Sequence, residues 1–362
     1  MTNIIKDFRE KQVVKENEWY NLRPILGHFN YAIFAVLLGG REVGKSYSVT
    51  NFFVDQWKNK GIPFTWIRLT EFQIRKLLQN NAEKLVDPDL RRKYDLDLVT
   101  SGNNVYEVTK RSEPDKDGKT KILEKKLMAR VYALSTFYSD KGSIFDKDFL
   151  KDPNMRYNIA IDEFERESGE KNTFDILYSL VNQLENLVRS TKDRVRVFFL
   201  GNTLEQASDI LCAFNFIPEE FGIFKLKKKR CVIHNIEPSE AYKKRRKGTI
   251  ADILMPQAST FTNKIDSDTT LICKKRLIEP TYVIKFTKYK ENWFTVWDGN
   301  VIKKYNGEKK SVIAMRPYLD EVFIPDIQKN MITLFDTRSL LFTNLITFKQ
   351  FQKQIELLKP RK

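Results

Sequence analysis

The feature that most limits what this chain can fold into is the octapeptide Gly39-Gly-Arg-Glu-Val-Gly-Lys-Ser46. It fits G-x-x-x-x-G-K-[ST], whose mechanism requires a strand before it and a helix after it. Tyr31-Ala-Ile-Phe-Ala-Val-Leu-Leu38 precedes it, a continuous apolar run of the length that a strand buried on both faces needs. Val49, Phe53 and Trp57 follow at i, i+4 and i+8, with Phe52 beside them, until Gly61 ends the run. In such a loop the glycines let backbone N–H groups curl around phosphate oxygens, and the lysine ammonium reaches the β and γ phosphates. The hydroxyl binds Mg²⁺, and the helix N-terminus favours the anion. At average composition the pattern arises by accident in roughly one chain of this length in a hundred, and the flanking strand and helix make accident rarer still. Gly39, Gly40, Arg41, Glu42, Val43, Gly44, Lys45 and Ser46 are therefore the candidate nucleotide-binding residues, with Ser46 also on the metal.

A second half of such a site is expected more than a hundred positions on. Tyr157-Asn-Ile-Ala-Ile161 is a short buried strand closed by Asp162-Glu163. An acid at the end of a buried strand can hold the Mg²⁺ shell, and the next acid can polarise the attacking water. Asp162 takes the metal role and Glu163 that of general base, with Glu165 and Glu167 as rivals. Val195-Arg-Val-Phe-Phe-Leu200 forms a further strand, and Asn202-Thr203 after it offers polar side chains that either sense the γ-phosphate or cap a helix. Hydrolysis usually needs one more cation near the developing charge; Arg189, Arg194 and Arg196 follow the helical stretch Phe174 to Val188.

Strands alternating with helices predict an α/β, mostly parallel sheet covered on both faces, the P-loop NTPase fold class. Phe64 to Leu69 is a second strand, Glu71 onward is helical as far as Pro88, 101–127 is a polar hairpin or insertion, and Met128 to Leu134 returns to a strand pattern. The basic clusters Lys225 to Arg230 and Lys243 to Lys247 mark a change of character. We expect a P-loop ATPase domain over 1–217, a small linker domain over 218–255 and a C-terminal α+β domain over 256–362. In the last, Tyr282 to Tyr289, Trp293 to Trp297 and Val301 to Tyr305 suggest an antiparallel meander with a tight turn at Asp298-Gly299, and a helical tail runs from about Ser339 to Leu358.

Composition narrows the partners. The chain has 63 Lys+Arg against 47 Asp+Glu, a formal net charge of +16, which points to a polyanion such as nucleic acid. Its 3 cysteines, without C-x-x-C spacing, argue against a disulfide framework or a zinc cluster. With no run of about 18 apolar residues and a charged start from Met1 to Glu18, the expectation is a soluble, intracellular protein without a membrane partner.

These residues resemble a known family, the DNA-packaging ATPases of phi29-like tailed phages, which form a ring at the portal vertex of the empty head. The resemblance rests on the octapeptide with arginine in its third place, on Ile161-Asp-Glu-Phe-Glu-Arg-Glu167 and on Asp193-Arg-Val-Arg-Val-Phe-Phe-Leu-Gly-Asn202. Leu134-Ser-Thr-Phe-Tyr-Ser-Asp-Lys-Gly-Ser143 and Phe294-Thr-Val-Trp-Asp-Gly299 are weaker echoes. It implies an ASCE-type ATPase domain using ATP and Mg²⁺, with Arg189 matching a trans-acting arginine finger and Lys141 a lysine that acts across the subunit boundary. The loop to Val195 is one residue longer than the pattern, which keeps Arg194 as an alternative finger, and the insertion around 103–127 departs from the pattern as well. It further implies an RNase H-like C-terminal domain lacking nuclease acids. Asp266 and Asp268 lie in a polar loop and Asp298 in a turn, where a two-metal nuclease would need carboxylates converging from strands.

The function so implied is ATP-driven translocation of double-stranded DNA into a preformed procapsid. The working form would be a homo-oligomeric ring, a pentamer, on the portal or connector, joined directly or through an RNA or protein adaptor, in the host cytoplasm during assembly. Residues Arg75 to Lys93 and Lys225 to Arg230 are candidates for gripping DNA phosphates, since a translocating contact must ignore sequence. A DNA helicase or recombination-type P-loop ATPase is the alternative; it shares the motor and the charge but responds to single strands. A nonenzymatic basic scaffold would require the octapeptide to be accidental.

Overall fold

The apolar run before the glycine-rich loop forms β1 (Phe34–Gly39), buried along almost its whole length. A computed structural model describes residues 19–139, 155–164, 175–188, 194–202, 208–254, 271–273, 282–286, 292–297, 311–314 and 327–359. The chain divides into two units, Met1–Glu205 with Pro218–Ile265, and Gln206–Ile217 with Asp266–Lys362.

In the first unit, α1 (Arg23–His28) precedes β1, and α2 (Lys45–Lys60) follows the loop. Helix α2 starts after Gly44 at φ 96° and stops at Gly61 at φ 63°, whose N–H satisfies the carbonyls of Gln56 and Trp57. Val49, Phe53 and Trp57 face inward as their spacing predicts. The Phe53 ring sits 5.1 Å from Phe64, 5.6 Å from Phe198 and 6.2 Å from Trp66, which fastens the helix to the aromatic surface of two strands, Phe64–Arg68 and Val195–Asn202. Next come β2 (Phe64–Arg68) and α3 (Glu71–Ala82), the latter opened by a capping box between Thr70 and Gln73. Helix α3 breaks before the expected Pro88, because Asn80 and Asn81 take left-handed conformations at φ 52° and 56°, which asparagine tolerates. Pro88 instead opens α4 (Pro88–Tyr94), with Asp87 as its cap.

The polar stretch 101–127 forms a hairpin: β3 (Leu98–Ser101), β4 (Asn104–Arg111) and β5 (Ile122–Ala133) pair antiparallel, and β5 joins β2 in parallel. After it come β6 (Tyr157–Asp162), α5 (Ile176–Val188) and β7 (Val195–Asn202). Residues 218–255 correct the expected linker domain. They supply β8 (Gly222–Leu226) and β9 (Cys231–Asn235), and β9 lies parallel against β1 in the same sheet. The short buried run Cys231-Val-Ile233 drives this, hidden in the sequence between two basic clusters. The nine-stranded order is β3-β4-β5-β2-β6-β7-β1-β9-β8. One strand, β7, separates the loop-bearing β1 from the acid-bearing β6, the ASCE form of the P-loop NTPase fold. Two short helices, α7 (Glu240–Arg246) and α8 (Ile250–Leu254), end this unit's described part apart from α6 (Asp209–Phe214), which belongs to the second unit.

The second unit holds a sheet ordered β10 (Tyr282–Phe286), β11 (Asn292–Trp297), β12 (Ser311–Ala314), β13 (Leu340–Phe342), antiparallel except for the parallel β12/β13 pair. Helices α9 (Ile327–Asp336) and α10 (Leu345–Leu358) pack on it through Phe294, Met331, Phe342, Phe351 and Ile355, an α+β arrangement. The expected tail helix starts later than Ser339, because Leu340-Leu-Phe342 is buried as a strand and the Asn344 side chain caps α10. Residues 301–305, Asp266, Asp268 and Asp298-Gly299 lie outside the described residues. Among the described residues no helix is long and apolar enough to cross a membrane, and no group of three His, Cys, Asp or Glu could hold a metal ion.

Candidate nucleotide site

Parallel strands bring their C-terminal ends to one edge of a sheet, and ligands of such folds bind there. In register, Gly39 of β1 lies beside Asn202 of β7, and Leu200 of β7 lies beside Asp162 of β6. Ile67 of β2 pairs with Ile161, so Arg68 stands next to Asp162. Residues from four separate stretches of chain therefore meet at one edge.

The loop has the backbone its glycines allow. Gly44 sits at φ 96°, and a Cβ there would lie 3.0 Å from two atoms of Trp19, so both conformation and space demand glycine. The buried Lys45 ammonium donates to the carbonyls of Gly39 at 2.7 Å and Gly40 at 2.8 Å, folding its side chain back across the loop. The segment before α1 closes over it: Tyr20 N–H donates to Val43 O at 2.9 Å, and the Ser48 hydroxyl donates to Tyr20 O. Tyr20 OH in turn meets His234 Nδ1 of β9 at 3.1 Å. Burial pushes the Tyr20 phenol far above its ordinary value and lowers the His234 imidazole to about 4.

The two halves expected from sequence come together, because the Ser46 hydroxyl donates to Asp162 Oδ1 at 3.3 Å across 116 residues. Asp162 is 3% exposed. Its Oδ2 lies 2.7 Å from Arg68 Nη2 yet has no aligned hydrogen-bond donor. A hydroxyl and a buried carboxylate with an unsatisfied oxygen form a hard oxygen donor pair that fits Mg²⁺, which takes few protein ligands and completes its shell with waters and phosphate. Glu163 follows at φ 54°, a left-handed conformation that costs a glutamate strain and turns it off the strand line. Its N–H still donates to Leu200 O at 2.9 Å, and its carboxylate pairs with Arg68 Nη1. Phe164 anchors the turn. It packs edge-on against Phe199 at 5.8 Å and over Gly201, where a Cβ would lie 2.8 Å from the Phe164 ring.

Sequence reasoning missed Arg68, one guanidinium against both acids. It closes an ordinary strand pattern, and only the adjacency of β2 to β6 reveals it. It missed Gly201 and Trp19 for the same reason. Of the other candidates, Asn202 stands beside the loop's first glycine. Arg194 and Arg196 stand at the opposite end of β7, roughly 20 Å or more away at strand rise. Arg196 donates to Asn30 Oδ1 at 2.6 Å, and burial together with Arg156 lowers its guanidinium to about 10. Lys141, Glu165, Glu167, Arg189 and Thr203 lie outside the described residues.

No family model matches the chain. The DNA packaging protein of Bacillus phage phi29 is 22% identical over 286 residues, 77% of this chain and 75% of that protein. The DNA packaging protein of Bacillus phage PZA gives the same figures. Among solved structures, the phi29 viral genome packaging motor assembly matches with a TM-score of 0.61 and 19% identity, covering 93% of this chain and 99% of the other. The Phi-28 DNA packaging motor matches with a TM-score of 0.60 and 16% identity, covering 96% and 99%. The resemblance read from the motifs thus extends to sequence over about three quarters of the chain and to fold along nearly all of it.

Proposed function

We infer that this chain is the ATPase of a phage DNA-packaging motor, driving double-stranded DNA into a preformed procapsid at the cost of ATP. The observation that carries the reading is the Ser46–Asp162 hydrogen bond, which assembles an ATPase centre from two motifs. It occurs in a chain similar over three quarters of its length to curated DNA packaging proteins. No comparison favours a helicase.

Gly39 to Ser46 would cradle the phosphates through backbone N–H groups and Lys45, whose present bonds to Gly39 and Gly40 exchange for phosphate oxygens. Ser46 and Asp162 would hold Mg²⁺, which would supply neutralisation of phosphate charge. Glu163 would accept the proton of the attacking water. Arg68, paired with both acids, would hold that carboxylate in place beside Asp162. The finer reading also includes a pentameric ring on the portal or connector, with or without an RNA or protein adaptor, in the host cytoplasm. Arg189 would serve as the finger supplied to a neighbouring subunit and Lys141 would act across the same boundary. The domain over 256–362 would be RNase H-like and without nuclease activity.

Turnover of ATP with and without linear duplex, in the wild type and in Lys45→Ala, tests the core of this. Duplex-stimulated hydrolysis that disappears in Lys45→Ala supports it. Hydrolysis stimulated only by single strands, or none in either protein, refutes it.

A further inference from the structure

The outer side of the loop is held by a helix that the nucleotide chemistry does not use. Helix α7 opens with the Ser239 side chain accepting the Tyr242 N–H at 3.1 Å and directs its last turn at Arg41 and Glu42. Buried Tyr242 donates its hydroxyl to Arg41 O at 3.1 Å. Arg245 donates to Glu42 O at 3.2 Å, and Arg246 pairs with Glu42 Oε2 at 3.0 Å. The Arg246 side chain is only 12% exposed, which places this ion pair partly out of water where it is screened less. The Arg245 guanidinium also lies 3.8 Å from the Trp19 ring centroid, and Trp19 packs on Gly44. One helix turn thus grips the middle of the loop directly and its Gly44 end through Trp19.

What the grip holds is informative. Glu42 sits at φ 63°, a left-handed conformation that glycine adopts freely and glutamate does not. A loop whose N–H groups must converge on phosphate needs that turn kept in place.

We propose that α7 is a positioning element for the nucleotide: Arg246, with Arg245 and Tyr242, holds residue 42 in its left-handed turn and keeps the loop shaped for phosphate. The proposal rests on the nucleotide reading above. A merely structural arginine would be replaceable without regard to residue 42; a positioning one has its effect through the φ of that residue.

The test is steady-state hydrolysis of Mg–ATP, with direct binding of Mg–ADP by calorimetry, in the full chain. Arg246→Gln should raise KM and the Mg–ADP Kd by about threefold to tenfold, between the worth of an exposed ion pair and that of a charged hydrogen bond. The kcat should stay within about twofold, and Arg246→Lys should recover part of the loss. Adding Glu42→Gly to Arg246→Gln should bring KM back toward the wild type, because glycine reaches positive φ unaided. A wild-type KM in Arg246→Gln, or a defect that Glu42→Gly leaves untouched, overturns the proposal. If Arg246→Gln melts early, Glu42→Gln reads the same pair from the other side and should raise KM in the same direction; no rise there overturns it too. A wild type that binds neither Mg–ATP nor Mg–ADP refutes the nucleotide reading itself, and a wild type that binds both alongside an unaffected Arg246→Gln refutes α7 alone.

Discussion

Gly201→Ala is a one-methyl change whose cost is set by what surrounds it. The added Cβ would lie 2.8 Å from Phe164 Cζ and 2.9 Å from Cε1, closer than carbon atoms tolerate, and 3.0 Å from Leu38 Cδ2, which is tight. The Leu38 methyl is the end of a branched side chain and can give a little. The Phe164 ring cannot, since it is 2% exposed and braced edge-on by Phe199 at 5.8 Å. Overpacking of this kind costs about 1–3 kcal/mol, and the upper half is expected here because ring and strand are both fixed. Gly201 has no positive φ, so backbone strain adds nothing and the effect is steric. Displacing Phe164 also drags Glu163, one residue before it, and a misplacement of about 1 Å can cost on the order of a hundredfold in rate. Denaturant unfolding of Gly201→Ala should show a lower midpoint at unchanged slope, and ATP turnover should fall more than stability does. Phe164→Leu, which removes the ring edge, should recover part of the stability in the Gly201→Ala background while lowering it in the wild type. Unfolding within about 0.5 kcal/mol of the wild type, together with normal turnover, would refute the wedge.

Other expectations follow from the same geometry. Phe53→Ala removes the ring shared by β2, β7 and α2 and should cost about 3–5 kcal/mol in chemical denaturation, whereas exposed Phe72→Ala should be near neutral. Arg68→Gln takes the cation from two carboxylates and should lower turnover at least about tenfold while leaving Mg–ADP binding within a few-fold, read by calorimetry. His234 is buried in its neutral form with a folded value of about 4, below the ordinary 6.5, so the unfolded chain binds the extra proton between those pH values. Stability should therefore be full above about pH 6.5 and fall toward pH 4 by roughly 1–2 kcal/mol after allowance for partial exposure, and His234→Gln should flatten that slope.

How much of this was legible beforehand depended on whether a signal was local. The octapeptide, Asp162-Glu163 and the strands bearing them carry their chemistry and flanking patterns within about ten residues, and the structure places them together. Arg68 could not be read, because Thr65-Trp-Ile-Arg68 looks like any strand with a charged end; its role exists only once β2 lies beside β6. The misreading of 218–255 has the opposite cause. Strong local charge at Lys225 to Arg230 and Lys243 to Lys247 drew attention from Cys231-Val-Ile233, three buried residues that decide where the chain goes. The same segment then places Tyr242, Arg245 and Arg246 against the loop, a contact between residues about two hundred positions apart that no periodicity could announce. At Ser339 the helical spacing overran a strand for want of a recognised cap, and Asn344 was the cap.

The charges at the sheet edge lead to one last expectation. Asp162 and Glu163 pair with Arg68, and Lys45 is held on the loop's own carbonyls, so the formal charges of these four side chains sum to zero. A triphosphate with one Mg²⁺ brings roughly two net negative charges into that neutral site, in surroundings where charge is weakly screened. Phosphoryl transfer then moves charge toward the leaving oxygen, and an unneutralised excess at that moment raises the barrier. Arg194 and Arg196 stand at the far end of β7 and cannot serve their own site. A further cation would come from another stretch of the chain or from another subunit, and Arg189 is the motif's candidate. If it acts in trans, Arg189→Ala subunits retain an intact centre and Glu163→Gln subunits retain an intact finger. Each pure protein should be inactive, on the order of a thousandfold below the wild type, and mixing the two should restore a fraction of hydrolysis that passes through a maximum near equal amounts. Wild-type turnover in pure Arg189→Ala would remove this arginine from the mechanism. Two inactive proteins that stay inactive when mixed would place it in its own subunit's site.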